Sequence, residues 1–199
     1  MKFIIASKNK KKIAELKRIL NPLGITAVTE NDLDFSIPEV DETGTTFAEN
    51  AFLKASSACK FSGLPAIADD SGICVSALNN APGVYSARFS GPDATDENNN
   101  ALLIEKLKDV EFSNRNAKYC CAISVVFPNG HEIKCFGECH GYIGFEPSGN
   151  GGFGYDPYFY IGEKSFADIS AEEKDKISHR GKALRELSVK LKEYLDDNK

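Results

Sequence analysis

The chain opens MKFIIASKNKKKIAELKRIL (residues 1–20), and the reading of this stretch decides what kind of fold follows. Phe3 to Ala6 is a short apolar run that predicts a strand. Ile13, Leu16 and Leu20 then recur at helical spacing, so a helix begins near Asn9. Lys8, Lys10, Lys11 and Lys12 crowd the start of that helix. A cation there faces the positive end of the macrodipole, at a cost of about a few tenths of a kcal/mol each while nothing anionic is present. Helix N–H groups and converging ammonium groups together make an anion site, and phosphate is its usual occupant. The plainer alternative is a solvated lysine face that keeps the protein soluble.

Outward from this point the chain alternates helix and strand signals. IPEVDETGTTFAEN (37–50) leads into a helix marked by the capping-box spacing Thr46-x-x-Glu49, with Phe47, Ala51, Ala55 and Ala58 as its apolar face. LPAIADDSG (64–72) predicts a short buried strand, 66–68, that runs straight into two carboxylates and a Ser-Gly turn. ICVSAL (73–78) follows as another strand, and a helix spans about Thr95 to Leu107. KYCCAISVVF and HEIKCFGEC flank Pro128-Asn129-Gly130, a hairpin signal. A last helix runs from about Arg180 to Leu195, with Leu184, Leu187, Leu191 and Tyr194 on one stripe. Strands mixed with helices, including a hairpin, predict an α/β protein with a mixed sheet. With 199 residues, no internal repeat and no Pro/Gly/Ser-rich linker, residues 1–199 read as one folding unit.

The net charge of −5 and pI near 5.3 argue against a nucleic-acid partner, which asks for a basic surface. A local lysine cluster in an acidic chain points instead to a small polyanion. No apolar run reaches signal-peptide or membrane-spanning length, so a cytoplasmic protein with no membrane partner is expected. The six cysteines read as reduced thiols. Cys135-x-x-x-Cys139-His140 hints at metal-ligand spacing, but no second pair lies at finger-like distance and alternation in EIKCFGEC already explains a half-buried strand.

Chemistry concentrates elsewhere. Asp69-Asp70-Ser71-Gly72 directly follows a buried strand, where open α/β sheets place their ligands. Two carboxylates so close repel unless a cation lies beside them, and Mg²⁺, an oxygen-seeking ion held by one or two carboxylates plus substrate, is the natural candidate. Glu42 is a possible further ligand. SGNGGFG formally matches a dinucleotide fingerprint, Gly149-x-Gly151-x-x-Gly154. An aromatic, strand-like run follows it where that fingerprint needs a helix, so it reads instead as a glycine loop close to a ligand, with Phe153 and Tyr155 available to pack on something flat. Lys174, Lys176 and Ser178-His179-Arg180-Gly181 again pile positive charge at a helix start. Together these pieces specify a triphosphate, its metal and a base.

In their order along the chain, Ser7-x-Asn9-x-x-Lys12, Glu42-Thr43-Gly44, Phe47-x-Glu49-Asn50-Ala51, Ala68-Asp69-Asp70-Ser71-Gly72, Pro82-Gly83-Val84-Tyr85-Ser86-Ala87-Arg88, Gly151-Gly152-Phe153-Gly154-Tyr155-Asp156-Pro157 and Ser178-His179-Arg180-Gly181 carry a resemblance. The chain resembles the inosine/xanthosine triphosphate pyrophosphatase family, from about Phe3 to Leu195. The resemblance implies a Mg²⁺-dependent hydrolase, in a homodimer, that converts ITP, dITP and XTP to the monophosphate and pyrophosphate. It implies an elongated mixed sheet flanked by helices, in two lobes with a central substrate cleft. By the same resemblance Ser7, Lys8, Asn9, Lys10, Lys11 and Lys12 form a triphosphate-binding loop, in which Ser7 stands where Thr is common. Asp70 is the metal-binding residue and general base, and Ser71 a substrate contact. Phe153, Gly154, Tyr155, Asp156, Lys174, His179 and Arg180 are the remaining substrate contacts. A related pyrophosphatase with another base preference, or a sensor that binds without cleaving, are the rival readings. On the lysine cluster the expectation is that Lys12 serves the triphosphate and adds nothing to the stability of the empty protein.

Overall fold

The computed structural model describes residues 1–33 and 36–198. β1 (Lys2–Ile5) leads into α1 (Lys10–Leu20), as the opening stretch predicts. Asn9 makes the transition: its side-chain oxygen accepts from the N–H groups of Lys11 and Lys12 at 3.0 and 3.2 Å, so the cap itself starts the helix. After β2 (Thr26–Val28), α2 (Phe47–Ser62) begins with the full capping box. The Thr46 hydroxyl accepts from the Glu49 N–H and the Glu49 carboxylate accepts from the Thr46 N–H, at 3.2 and 3.0 Å.

β3 (Ala66–Val75) is one unbroken strand, which corrects the expectation of a turn at 69–72 between two short ones. Asp69 and Asp70 are buried and bonded to side chains of other elements, so they do not fold back into an Asx turn. Gly72 keeps the strand extended for a different reason. A Cβ there would run into the Ser86 hydroxyl and the Gly83 carbonyl, and the same hydroxyl accepts from the Ile73 N–H at 2.9 Å. Glycine is the residue that admits this approach.

α3 (Asp96–Lys106), capped by Thr95, precedes β4 (Asn116–Val126) and β5 (Glu132–Ile143). The predicted turn joins these two strands, with the Phe127 N–H on the His131 carbonyl at 2.9 Å and Gly130 at φ 84°. β6 (Phe159–Ile161), β7 (Lys164–Ser165), α4 (Ala171–Ile177) and α5 (His179–Asp197) complete the chain. Among the described residues the strands form one seven-stranded sheet in the order β2-β1-β3-β4-β5-β6-β7. β1 is parallel to β2 and β3, and β6 is antiparallel to β5 and β7, so the sheet is mixed and flanked by helices as predicted.

The chain packs as two compact units, the first made of Met1–Asp70, Cys121–Phe136 and Lys182–Lys199 and the second of Ser71–Cys120 and Gly137–Gly181. In the first, strand alternation sends Phe3 and Ile5 to one cluster with Leu16, Leu20, Leu184, Leu187 and Leu191, while Ile4 joins Ala55, Ala58, Cys59, Ala66 and Ala68 in another. α1 and α5 thus cover one face of β1 and the alanine face of α2 covers the other. Each leucine so buried contributes roughly 1.5–3 kcal/mol. The second unit has an aromatic core in which Tyr119, Phe159 and Phe166 pack with Ile73, Val75, Leu103 and Leu107. β5 alternates as predicted, with Ile133, Cys135 and Cys139 buried and Lys134 and Phe136 exposed. All six cysteines are buried and none is disulfide-bonded among the described residues. No helix among the described residues is long and apolar enough to cross a membrane.

Candidate active site

In the first unit the site is built around the carboxylates of β3. Asp69 has a side chain with 0% exposure and receives the Lys12 ammonium at 3.1 Å, with the Cys121 thiol 4.0 Å from the same oxygen. Asp70 accepts a hydrogen bond from the Asn50 amide at 3.1 Å, and the Asn50 oxygen accepts from the Gly44 N–H at 2.8 Å. Asn50 therefore ties the 43–46 loop to the carboxylate. One turn along α2, Lys54 reaches Glu42 at 2.7 Å and Asp70 at 3.6 Å, placing an ammonium between two carboxylates. Burial raises the Asp70 pKa, Lys54 opposes that rise and Glu42 adds to it. On Lys54 burial works against the charge, but Asp70, Asp69 and Glu42 together lift its pKa above the ordinary lysine value.

The lysine cluster divides. Lys8 lies on the surface, paired with Glu39 at 3.2 Å, and Lys10 and Lys11 are exposed on the first turn of α1. The Ser7 hydroxyl accepts from the Asn9 N–H at 3.2 Å, which holds the loop to its cap. Lys12 turns to a buried partner, Asp69. That corrects the expectation that Lys12 adds nothing to the empty protein: its charge compensates a carboxylate in the interior.

A divalent cation can be tested against this donor set. Among the described residues no group of three or more His, Cys, Asp or Glu side chains is disposed to hold a metal ion by itself. Glu42 and Asp70, both within reach of the Lys54 ammonium, supply hard oxygen donors at one place. Two carboxylates completed by water and substrate oxygens suit Mg²⁺, so the residues fit an ion that arrives with its substrate.

The second unit holds the remaining residues. The Ser71 hydroxyl accepts from Arg180 Nη2 at 2.8 Å. The Asp156 carboxylate accepts from the Phe153 N–H at 2.8 Å and from Lys174 at 2.5 Å, with all three charged or polar groups drawn into the interior side of the 149–156 loop. A Cβ at Gly152 would strike that carboxylate, and Gly152 has φ 71°, so this position demands glycine twice over. Gly154 is fixed by its N–H on Asp96 at 2.7 Å and its carbonyl on the Asn100 amide at 2.9 Å. The Phe153 ring stays half-buried, with Lys174 Nζ 4.9 Å and Arg180 Cζ 5.8 Å from its centroid. His179 is buried and lies flat on Tyr119, ring centroids 4.6 Å apart. The Tyr155 ring does not offer a face to a flat ligand, contrary to expectation: it is buried and its hydroxyl donates to the Ser86 carbonyl at 2.8 Å.

Asn50, Lys54, Asn100 and Tyr119 belong to these constellations; in the sequence Asn50 has only a place in the Phe47-x-Glu49-Asn50-Ala51 motif, with no role, and the other three are not singled out. The signal available for the first two is weak but present: a polar pair at i and i+4 on a helix face otherwise lined by alanines.

The chain matches the Ham1 family over residues 3–190. It is 48% identical over 194 residues to a dITP/XTP pyrophosphatase of Exiguobacterium sp., covering 96% of this chain and 97% of that one. Against a dITP/XTP pyrophosphatase of Geobacter sulfurreducens it is 47% identical, with 96% of each chain covered. A solved HAM1 protein from Coxiella burnetii superposes with a TM-score of 0.89 at 42% identity, over 97% of this chain and 99% of that one.

Proposed function

Because the chain belongs to the Ham1 family, we propose that it is a nucleoside triphosphate pyrophosphatase that hydrolyses dITP, ITP and XTP to the monophosphate and pyrophosphate. The observation that carries this is the buried Asp69-Asp70 pair, compensated by Lys12 and Lys54 rather than by solvent. A carboxylate whose pKa is raised by burial is a better base than one in water, and Lys54 opposes that rise in favour of the ionised form. Asp70 takes a proton from the attacking water, the new P–O bond forms as the bridging P–O bond breaks, and pyrophosphate departs with that electron pair. The lysines at the start of α1 neutralise the charge that grows on the leaving group. Asp70 and Glu42 would hold Mg²⁺, which when bound would join the lysines in offsetting the negative charge on the phosphate oxygens.

On the base side, Phe153 stacks on the purine, while Lys174, His179 and Arg180 supply donors for the 6-keto oxygen that hypoxanthine and xanthine share. Asp156 and Ser71 hold two of those donors in place. The resemblance adds that the enzyme works as a cytoplasmic homodimer, an assembly that sedimentation at micromolar concentration would reveal.

The test is pyrophosphate release from ITP, XTP, dITP, GTP, ATP and dUTP with Mg²⁺. ITP, dITP and XTP are expected to exceed ATP by about 10² in kcat/KM. Orthophosphate as product, or dUTP as the preferred substrate, would overturn the proposal. Asp70→Asn is expected to stay folded and lose about 10² or more in kcat, and a folded variant with native turnover would remove Asp70 from the mechanism.

A further inference from the structure

Gly151, Gly152 and Gly154 surround Phe153, and the two on either side of it stand at φ 71° and 63°. Glycine loses more conformational freedom on ordering than any other residue, so this stretch has little tendency of its own to hold an aromatic ring in one place. The bonds that hold it come from outside the stretch. The Phe153 N–H donates to Asp156 at 2.8 Å. The Gly154 N–H donates to Asp96 Oδ2 at 2.7 Å, and the Gly154 carbonyl accepts from Asn100 Nδ2 at 2.9 Å. Asp96 and Asn100 are four residues apart on α3, so one face of its N-terminal turns presents an acceptor and a donor to a single glycine, 58 and 54 residues further along the chain. The same Asn100 nitrogen donates to the Asp96 carbonyl at 2.8 Å, which joins the two halves of this grip.

Starting the helix needs neither relation, because Thr95 already caps α3 by accepting from the Asn98 N–H at 3.2 Å. Asn100 is 8% exposed, and its side-chain oxygen meets no hydrogen-bond donor among the described residues, an arrangement that costs stability. A leucine of similar size would bury no such oxygen. What the amide adds is the bond from its nitrogen to Gly154. A loop ordered in advance spares a ligand the cost of ordering it on arrival. We infer that Asp96 and Asn100 are positioning residues for base recognition, gripping the N–H and the carbonyl of Gly154 so that Phe153 is held in place before substrate binds. The inference rests on the base-side reading given above.

Amide hydrogen exchange of residues 149–157 in the empty protein reads the grip itself. Its consequence is read by two ligands, IMP, which carries the base, and inorganic tripolyphosphate, which carries only the tail. Asp96 is exposed, so Asp96→Ala is expected to fold. It should speed exchange in that stretch by about tenfold or more and weaken IMP by about tenfold, the scale of a hydrogen bond to a charged group, with tripolyphosphate inhibition within about twofold of wild type. Asp96→Asn keeps a side-chain oxygen for the Gly154 N–H and should recover most of both losses, whereas a carboxylate that served only the helix dipole would not be replaced by an amide. Asn100→Leu removes the donor and the orphaned oxygen together, and is expected to melt within a few degrees of wild type yet bind IMP several-fold less well. Unchanged exchange or unchanged IMP affinity in Asp96→Ala would overturn the inference. So would a parallel loss for IMP and tripolyphosphate, the mark of residues that serve only the fold. Failure of the base-side reading looks different: Phe153→Ala would then bind IMP as tightly as wild type.

Discussion

Asp69 lies with its side chain wholly out of solvent, so removing the ammonium 3.1 Å away takes an ion-pair partner from a carboxylate in the interior. Breaking a buried pair by taking one partner costs about 3 kcal/mol or more. Lys12→Ala is thus expected to melt roughly 6–12 °C below wild type with no nucleotide present, besides binding triphosphate less well. Adding Asp69→Asn should restore most of the loss in a double-mutant cycle, whereas additive losses would place its source elsewhere. Lys54 gives a second residue-level outcome. It lowers the Asp70 pKa against the rise due to burial, so in Lys54→Met that carboxyl keeps its proton to higher pH and the acid limb of kcat/KM moves up. A limb that stays put would mean that Asp70 is not the group being read. The stability sign is separate: a carboxyl with a raised folded pKa favours the fold below its unfolded pKa, and that contribution fades as pH rises through the folded value. Lys54, also raised, contributes throughout the neutral range and loses its contribution only in alkali. The Asp69-Asp70 pair and a helix start near Asn9 were legible because each is defined by nearby residues. Lys54 and Tyr119 were not, since what makes them special is a partner 16 or more residues away, as with Asp70 for Lys54.

β3 shows how an element can be misread by a local rule that is sound. Asp-Asp-Ser-Gly favours turns when its side chains have nothing better to bond than their own backbone. Here Lys12, Asn50 and Arg180 supply the bonds and Ser86 presses on Gly72, so the strand runs through. Gly72→Ala is therefore expected to cost about 1–3 kcal/mol in denaturant unfolding, since the Gly83 carbonyl that the new methyl meets is backbone and cannot swing away. A midpoint unchanged from wild type would show that the strand bends at this point after all. Elements with a strong period were plain in the sequence: the Leu184, Leu187 and Leu191 stripe of α5 and the capping box of α2 stand where the spacing puts them. β2 and α4 were not, because three and seven residues are too few for a period to show.

At the scale of the molecule, the chain passes from one compact unit to the other after residues 70, 120, 136 and 181. Those points fall inside β3, β4, β5 and α5 rather than in loops, so no linker composition exists to be read and each unit is assembled from distant segments. The cysteines follow the same division, Cys59, Cys121 and Cys135 in the first unit and Cys74, Cys120 and Cys139 in the second, all buried. Burial also pushes up the Cys59 thiol, and the Cys135 thiol to about 12, which slows their chemistry even where a reagent can enter. Because all six are buried, a small maleimide at neutral pH is expected to label the cysteines only as the protein opens, and peptide mass spectrometry would date the opening of each unit separately. Rapid labelling of Cys59 or Cys135 in native buffer would contradict that. With reporters already seated in both halves, the order in which the molecule comes apart can be timed on the wild-type chain, with no probe introduced and no core residue exchanged.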